Sequence, residues 1–217
     1  MRSHRIYKAS ETLSFCLFVD SVLCLDVADD RYFRLKLPTL AERDDDVRIA
    51  QVADALRRRI LPAPGLVPAD LIRPTMICVP GASLLEGTPE SAVPPEFGRV
   101  FSALTTTALA LRLRPLRRIL TDVQERKSGR QPDPATSSMM TLTAAFHRHR
   151  KLVPMAPACL LDSLALLRFL CGFGYYPTLV FGVTARPFSA HCWVQTDEMI
   201  LSDAADHAGH FRPILAL

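Results

Sequence analysis

The stretch from Pro157 to Gly172 constrains the fold of this chain more than any other, because it is typical of a helix that is apolar on nearly every side. Its sequence, PACLLDSLALLRFLCG, repeats Leu160, Leu164 and Leu167 at the spacing of one helix face. A proline is tolerated in the first turn of a helix, and the final glycine offers a C-terminal stop. Other elements must cover a helix of this composition, so we expect it at the centre of a globular domain.

Cys159 lies in the first turn of this predicted helix. A thiol at this position lies near the positive end of the helix and near unpaired backbone N–H groups, and both favour the thiolate that attacks a carbonyl carbon. The same N–H groups can form part of an oxyanion hole. The alternative interpretation is a small buried apolar residue, which is the better one for any of the six cysteines taken alone.

A histidine and an aspartate after the helix are the partners that a reactive cysteine needs. Residues 178–184 predict a short buried strand. Residues 190–196 alternate in polarity, which gives His191 and its alternate neighbours a common face, and residues 199–203 alternate in the same way and end in Asp203. We expect the last two segments to pair as a hairpin.

The length of the hairpin loop decides whether these side chains meet. A three-residue loop sets His191 directly opposite Asp203, with Cβ atoms roughly 5 Å apart. A two-residue loop sets His191 opposite Ala204, turns Asp203 to the other face and makes Asp206 the candidate. We therefore predict an odd-length loop and a triad in which Cys159 is the nucleophile, His191 the base and Asp203 the group that orients the base.

The N-terminal part predicts a small β-unit followed by helices. Residues 12–37 hold two strand-like runs joined by a turn at Asp29 and Asp30. Thr39 and Glu42 resemble the capping pair of a short helix, and residues 46–60 have helical periodicity. This order is typical of a small winged-helix unit. The many prolines between positions 62 and 98 predict an irregular connector.

The middle of the chain predicts helices. Residues 97–127 read as a helix interrupted at Pro115, residues 128–138 as a polar loop and residues 137–150 as a further helix. The arginines of the first helix form a basic face that is either solvated or attracts an acidic partner. We predict an α+β fold with three parts: a small winged-helix-like domain over 1–80, a connector over 81–97 and a cysteine peptidase domain of papain or transglutaminase type, a central helix packed on an antiparallel sheet, over 98–217.

Several function classes are disfavoured by composition. The net charge is only +4, without a run of Lys and Arg interleaved with aromatic residues, so we expect no nucleic-acid partner. No apolar run approaches the length of a membrane span, and no CxxC pair indicates structural zinc. The N-terminus does not resemble a secretory signal, so we expect a reduced, cytoplasmic protein. We expect no metal site, because the spacing of two histidine pairs fits surface residues better: His147 with His149, and His207 with His210.

The C-terminal third also carries a set of motifs that occur together in one family. These motifs are P-x-C-L-L-x-S-L-x-L at 157–166, the turn from Gly172 to Tyr176, L-V-F-G-V at 179–183, His-Cys-Trp-Val at 191–194 and Phe-Arg-Pro-Ile-Leu at 211–215. With them, residues 150–217 resemble the transglutaminase-like peptidase domain of lasso-peptide B proteins, the maturation proteases of lasso-peptide biosynthesis. The spacings from Cys159 to His191 and from His191 to Asp203 agree with the triad of that family. Cys192 stands where the family usually has alanine, and Asp162 where many relatives have a basic residue.

The N-terminal unit resembles the peptide-recognition element fused in front of the protease in many members, with D-R-Y-F-x-L at 30–35 as the best match. The resemblance implies that the leader of a ribosomal precursor adds a strand beside this motif, against the following helix. The implied groove residues are Tyr32, Phe33, Arg34, Leu35, Val52 and Leu56.

The resemblance also implies the reaction and the partners. The leader is cleaved from the precursor, typically after a threonine near the end of the leader, and a separate ATP-dependent cyclase that resembles asparagine synthetase closes the freed core amine onto an acidic side chain. We expect no cofactor bound directly, and we assign any ATP requirement to the cyclase. Two alternatives stay open: an acyltransferase or transglutaminase that uses the same triad, and a non-catalytic protein that only presents the precursor.

Overall fold

The computed structural model describes residues 2–36, 45–59, 72, 74–87, 96–128 and 136–217, which form helices and antiparallel sheets. The described strands are β1 (Arg2–Lys8), β2 (Leu13–Leu17), β3 (Val22–Asp26), β4 (Arg31–Leu35), β5 (Pro74–Val79), β6 (Thr178–Ala185), β7 (Phe188–Gln195) and β8 (Arg212–Ala216). The described helices are α1 (Asp45–Arg59), α2 (Phe97–Leu113), α3 (Leu116–Ser128), α4 (Thr136–Arg150), α5 (Cys159–Cys171) and α6 (Ala205–Gly209).

The N-terminal strands form one antiparallel sheet in the order β4-β3-β2-β1-β5. The predicted hairpin is confirmed as β3 and β4, which pair from Val22 with Leu35 to Asp26 with Arg31. Asp26 stabilises the turn, because its Oδ1 accepts hydrogen bonds from the backbone N–H groups of Ala28 and Asp29. Strands β4 and β5 are the two outer strands of this sheet among the described residues.

Strand β5 corrects the prediction of an irregular connector, because it lies within the proline-rich stretch. Residues 74–79 read PTMICV and pair with β1 from Arg2 with Val79 to Tyr7 with Pro74. β-Branched residues favour this strand, and a proline is tolerated as the first residue of an edge strand.

The N-terminal sheet is covered on both faces, which explains why β2 and β3 are buried at every residue. Phe15 and Cys24 face α1, where they pack with Val52 and Leu56. The winged-helix prediction is not confirmed, because the structure describes five strands and one helix in this part of the chain. The predicted capping pair Thr39 and Glu42 and most of the residues between α1 and β5 lie outside the described residues.

The predicted helices of the second half are confirmed, with small changes at their ends. Pro115 separates α2 from α3, as expected of a residue that has no backbone N–H. Helix α5 begins at Cys159 with Ala158 as its N-cap and ends at the C-cap Gly172. It is central as predicted, and seven of its residues are buried: Ser163, Leu164, Ala165, Leu166, Leu167, Phe169 and Leu170.

A second antiparallel sheet, in the order β7-β6-β8, packs against α5 and against the N-terminal sheet. One buried cluster combines Leu23 and Leu25 of β3 with Leu166 of α5 and Ile214 of β8. A second cluster combines Ile6 and Ile77 of the N-terminal sheet with Val180 and Trp193. Both clusters contain residues from the two halves of the chain. The N-terminal sheet therefore packs against the second sheet and helps to stabilise it.

None of the helices within the described residues has the length and apolarity that a membrane span requires. The six cysteines, all of which lie in the described part of the chain, form no disulfide with one another.

The packing around Gly182 in β6 generates a stability prediction. A Cβ at this position would lie 2.7 Å from Cζ3 of Trp193 and 2.8 Å from Cβ of Phe211, so two large buried side chains would have to move. We expect Gly182→Ala to destabilise the protein by about 1–3 kcal/mol, as overpacked cores do, measured as the free energy of unfolding in urea. Gly98→Ala in α2 is the matched control, because its Cβ would meet nothing within 4 Å and alanine favours a helix. Equal stability of the two variants would contradict this account.

Candidate active site

The start of α5 presents Cys159 at the surface of the protein. The residue is the first of the helix and its side chain is exposed, whereas the rest of the helix is largely buried. At this position the thiol lies beside the N–H groups that the helix leaves without an intrahelical acceptor. The geometry therefore joins a surface-accessible sulfur to the positive end of a helix.

Asp162 stabilises the segment that leads into this helix. Its Oδ1 accepts a hydrogen bond from Nε of Arg150 at 2.6 Å, and its Oδ2 accepts one from the backbone N–H of Ala158 at 3.2 Å. Arg150 also donates to the carbonyl oxygens of Val153 and Met155. Asp162 thus acts through an ion pair with α4, and the negative charge that departs from the resembled family is neutralised by Arg150.

His191 projects from β7 into a wall of aromatic rings. Its ring lies 6.1 Å from that of Trp193, 5.0 Å from that of Phe211 and 4.8 Å from that of His207, measured between centroids. The indole N–H of Trp193 donates to Oε1 of Gln195 at 2.8 Å, so the predicted shared face of β7 is confirmed. These rings limit the rotation of the imidazole.

Strand β7 and helix α5 are joined directly beside the cysteine. The hydroxyl of Ser163, one turn after Cys159, donates to the carbonyl oxygen of Cys192 at 3.1 Å. The side chains of Cys192 and His191 are the main groups that act on the Cys159 thiol, and both lower its pKa by hydrogen bonding. Because Nε2 of His191 is hydrogen-bonded to Asp203, Nδ1 is the ring nitrogen that remains to exchange a proton with Cys159.

These contacts favour a thiolate and an imidazolium. Hydrogen bonding from Cys192 and then from His191 lowers the pKa of the Cys159 thiol to about 4, against the opposing effect of burial. Burial alone would lower the pKa of His191, but hydrogen bonds with Asp203 and Cys159 raise it to about 9. Hydrogen bonding with the Cys159 thiolate raises the pKa of Cys192, which keeps this second thiol protonated. Between about pH 4 and pH 9 the site therefore holds the ion pair.

Asp203 meets His191, although the predicted register is wrong. Its Oδ2 lies 2.8 Å from Nε2 of His191, and both side chains are about five-sixths buried, with 15% and 16% exposed. Gln195 bridges to Ile200, which corresponds to the two-residue loop and would set His191 opposite Ala204 in a regular hairpin. Residues 199–203 also do not form a strand, since Ile200 alone among them makes β-bridges.

The hydrogen-bonded pairing between β7 and the residues after its turn ends at Leu201, and this explains how Asp203 reaches His191. Leu201 N–H donates to the carbonyl oxygen of Val194 at 2.8 Å, but the return bond of the pair is not made between them. Val194 N–H instead donates to the hydroxyl of Ser202, and the carbonyl oxygen of Leu201 accepts from Nε2 of His147 at 2.7 Å. Residues after Leu201 therefore leave strand alternation, and Asp203 is not confined to the opposite face.

His147 corrects a further prediction, since we expected a surface histidine. Burial lowers the pKa of its imidazole, which favours the neutral ring, and the ring donates to Leu201 just before Asp203. Position 147 lies on α4, so a helix distant in sequence supports the turn that carries the carboxylate.

A short 3-10 turn at Leu84–Glu86 holds the same segment from the other side, and sequence reasoning missed it. The hydroxyl of buried Ser83 donates to the carbonyl oxygen of Asp203, and Oε1 of Glu86 accepts from the N–H of Ala205 at 2.8 Å. These residues lie in the predicted connector, more than a hundred positions before Asp203. The S-x-x-E spacing of Ser83 and Glu86 was a local signal for the turn, but it carried no signal for the contact with Asp203.

His207 is also bonded to Asp203, through Nδ1 to the same Oδ2 at 2.8 Å. Its spacing of four residues from Asp203 was the available signal, because such residues are neighbours on a helical turn. The ligand atoms of His191, Asp203 and His207 lie within 4.8 Å of one another, a grouping that can hold a metal ion. The two hydrogen bonds satisfy Oδ2 without an ion, so we interpret the three as a hydrogen-bonded cluster.

The predicted groove residues divide into two groups. Leu35, Val52 and Leu56 are buried in the core between the N-terminal sheet and α1, where they have almost no surface to offer a peptide. Tyr32, Phe33 and Arg34 are partly exposed on the edge strand β4. The first three therefore support this edge from within.

Strand β4 lies beside the cysteine site. The ring of Tyr32 is 5.8 Å from that of Phe188 in β7, and the guanidinium of Arg34 donates to the carbonyl oxygen of Ala185. Burial raises the pKa of Tyr32, and the nearby side chains of Cys192 and Cys159 act in the same direction. The predicted recognition strand thus borders the hairpin that carries His191.

Comparison with protein families matches residues 102–216 to the family described as the transglutaminase-like superfamily. The match covers just over half of the chain and includes α5, both strands of the β6–β7 hairpin and Asp203. No curated protein and no solved structure matches the chain.

The ion pair generates a prediction on reactivity. We expect the alkylation rate of Cys159 by iodoacetamide to rise with a midpoint near pH 4, since the thiol loses its proton there, whereas ordinary thiols titrate near pH 8.5. Peptide mapping by mass spectrometry separates Cys159 from the other cysteines.

Two variants test the causes of the low midpoint. Cys192→Ala and His191→Ala should each move the midpoint for Cys159 to higher pH, because each removes a hydrogen bond with the thiolate. Cys171→Ala, at the far end of the same helix, is the matched control and should leave the midpoint in place. A midpoint near pH 8 in the wild-type protein would show that the thiol is not activated.

Proposed function

This chain belongs to the transglutaminase-like superfamily, a group of cysteine peptidases and acyltransferases, and from that premise we propose that it is a cysteine peptidase that removes the leader from a ribosomal lasso-peptide precursor. The observation that carries the proposal is the chain of contacts from Cys159 through His191 to Asp203 at the start of a central helix. The resemblance of the C-terminal motifs to lasso-peptide B proteins supports the choice of substrate.

In the first step the Cys159 thiolate attacks the carbonyl carbon of the scissile peptide bond. N–H groups at the start of α5 stabilise the negative charge that develops on the carbonyl oxygen. The C–N bond then breaks as Nδ1 of His191 transfers its proton to the leaving nitrogen, which becomes the free amine of the core peptide. The leader stays attached to Cys159 as a thioester.

In the second step water resolves the thioester. Neutral His191 takes a proton from the water, whose oxygen attacks the thioester carbonyl carbon, and the C–S bond breaks. The leader leaves as a carboxylic acid, which loses its proton to solvent, and Cys159 and His191 return to the ion pair. Asp203 accepts a hydrogen bond from Nε2 of His191 throughout, which stabilises the imidazolium and orients the ring.

We assign recognition of the leader to β4, an outer strand of the described N-terminal sheet. An extended peptide can add a strand there, so that backbone hydrogen bonds supply affinity and side chains such as Tyr32 and Phe33 supply selectivity. The contacts of β4 with the β6–β7 hairpin favour this edge, because a peptide bound there lies next to the cysteine. This division of the chain keeps the proposed recognition domain over 1–80, the connector over 81–97 and the peptidase domain over 98–217.

The proposed partners follow from the reaction. The freed core amine is the substrate of a macrolactam-forming cyclase that resembles asparagine synthetase, and any ATP is consumed by that enzyme. We propose that both proteins act in the cytoplasm, where the precursor is synthesised. The peptidase steps described above use side chains, backbone N–H groups and water.

Replacement of the nucleophile tests the reaction. We expect Cys159→Ala to bind the precursor as the wild-type protein does and to lose leader cleavage by at least about a thousandfold, because no other group forms the thioester. Mass spectrometry of the products identifies the acceptor: a core peptide with a free amine indicates hydrolysis, and a new amide indicates acyl transfer. Cys171→Ala is the control, and unchanged cleavage by Cys159→Ala would refute the assignment.

Replacement of edge residues tests the recognition surface. We expect Phe33→Ala on β4 to weaken leader binding about tenfold, which corresponds to the loss of one partly buried aromatic contact. Met76→Ala on β5 is the matched control, since it removes an exposed apolar side chain from the opposite edge of the same sheet. Fluorescence anisotropy of a labelled leader peptide measures both, and circular dichroism establishes that both variants are folded. Weaker binding by Met76→Ala alone would assign the leader to the other edge.

A further inference from the structure

The carboxylate of Asp203 is held by two imidazole rings rather than one. Nε2 of His191 and Nδ1 of His207 both lie 2.8 Å from Oδ2, and the backbone N–H of Ala204 donates to Oδ1 at 2.8 Å. A carboxylate oxygen has two acceptor sites, so Oδ2 is fully engaged by the two rings. Three donors bound to its two oxygens prevent the carboxylate from rotating freely.

His207 is the outer member of this cluster. Its side chain is 55% exposed, whereas that of Asp203 is 15% exposed, so the ring of His207 lies between the carboxylate and solvent. The ring also packs edge-on against His191 and Phe211, with centroids 4.8 Å and 5.3 Å away. Removal of His207 would give water access to Oδ2 and to the hydrogen bond between Asp203 and His191.

The groups around His191 determine how the contact between His207 and Asp203 affects the protonation of His191. The groups that face its ring are the Cys159 thiolate from α5, the Asp203 carboxylate and the His207 ring from α6. Hydrogen bonds from His191 and His207 lower the pKa of Asp203 against the effect of burial, which keeps the carboxylate ionised. An ionised and immobile carboxylate stabilises the His191 imidazolium more than a mobile, hydrated one.

We propose that His207 is a positioning residue that fixes the Asp203 carboxylate toward His191 and shields their hydrogen bond from water. The inference rests on the proposed function for its effect on leader cleavage, but its effect on His191 does not depend on any substrate. His207 touches neither the cysteine nor the scissile bond, and it acts through Asp203.

Three variants separate the hydrogen bond from the ring and from the helix. His207→Phe keeps an aromatic ring against Phe211 and removes the nitrogen. His207→Asn keeps an N–H donor near the place of Nδ1 and removes the ring. His210→Ala removes the neighbouring histidine, whose Nδ1 bonds to the carbonyl oxygen of Asp206 within its own turn.

The first measurement is the titration of His191 in the substrate-free protein, followed by NMR and assigned with His191→Ala. We expect the midpoint to fall by roughly one pH unit in His207→Phe, since the imidazolium loses part of its stabilisation by Asp203, and to stay near that of the wild type in His207→Asn and His210→Ala. The sign follows from the cation: weaker stabilisation of the charged form lets it deprotonate at lower pH.

The second measurement is leader cleavage as a function of pH. We expect His207→Phe to lower kcat about tenfold with little change in KM and to move the alkaline limb of the pH profile to lower pH, while His207→Asn restores most of the activity. An unchanged His191 titration in His207→Phe would overturn the proposal, and so would an equal effect of His210→Ala. If the wild-type protein cleaves no leader but His207→Phe still lowers the His191 midpoint, the positioning role stands and the proposed function fails.

Discussion

The hydrogen bond between His191 and Asp203 is the interaction on which the site depends, and no local pattern in the chain produces it. The aspartate follows a strand pairing that ends after Leu201, so its position is set by bonds from elsewhere. His147 bonds to the residue two before it and Ser83 to its own carbonyl oxygen. A short polar segment is thus held between a helix and a 3-10 turn, which replaces the order that a regular hairpin would have supplied.

Much of the fold could be predicted from periodicity, because a helix or strand that buries one face repeats its apolar residues at a fixed spacing. The limits of α5, the break at Pro115 and the β3–β4 hairpin are of this kind. The three residues of the predicted triad came from similar patterns, Cys159 from its position in the first turn and His191 and Asp203 from the alternation of the two segments that carry them. Their approach in space agrees with that prediction, although it arises by a different path.

The parts that could not be predicted depend on contacts between distant residues. An odd-length hairpin loop was predicted because it sets His191 opposite Asp203, but Thr196 closes a two-residue turn by bonding to Met199. Strand β5 lies among prolines that resembled a connector, and its pairing with β1 supplies what its local sequence lacks. Ser83 and His147 look like ordinary polar residues until the fold brings each of them to the segment of Asp203.

The contacts between β4 and the β6–β7 hairpin set a fixed distance within the protein between this strand and the hairpin that carries His191. Tyr32 packs on Phe188, Arg34 bonds to Ala185, and a common core lies beneath both. A leader strand bound on β4 would therefore begin its path to Cys159 from a constant point, and each extended residue would add about 3.3 Å. Under the proposed function, this fixed distance determines how many leader residues lie between β4 and Cys159. The position of the cleaved bond then depends on the number of leader residues between the strand bound on β4 and the sulfur of Cys159.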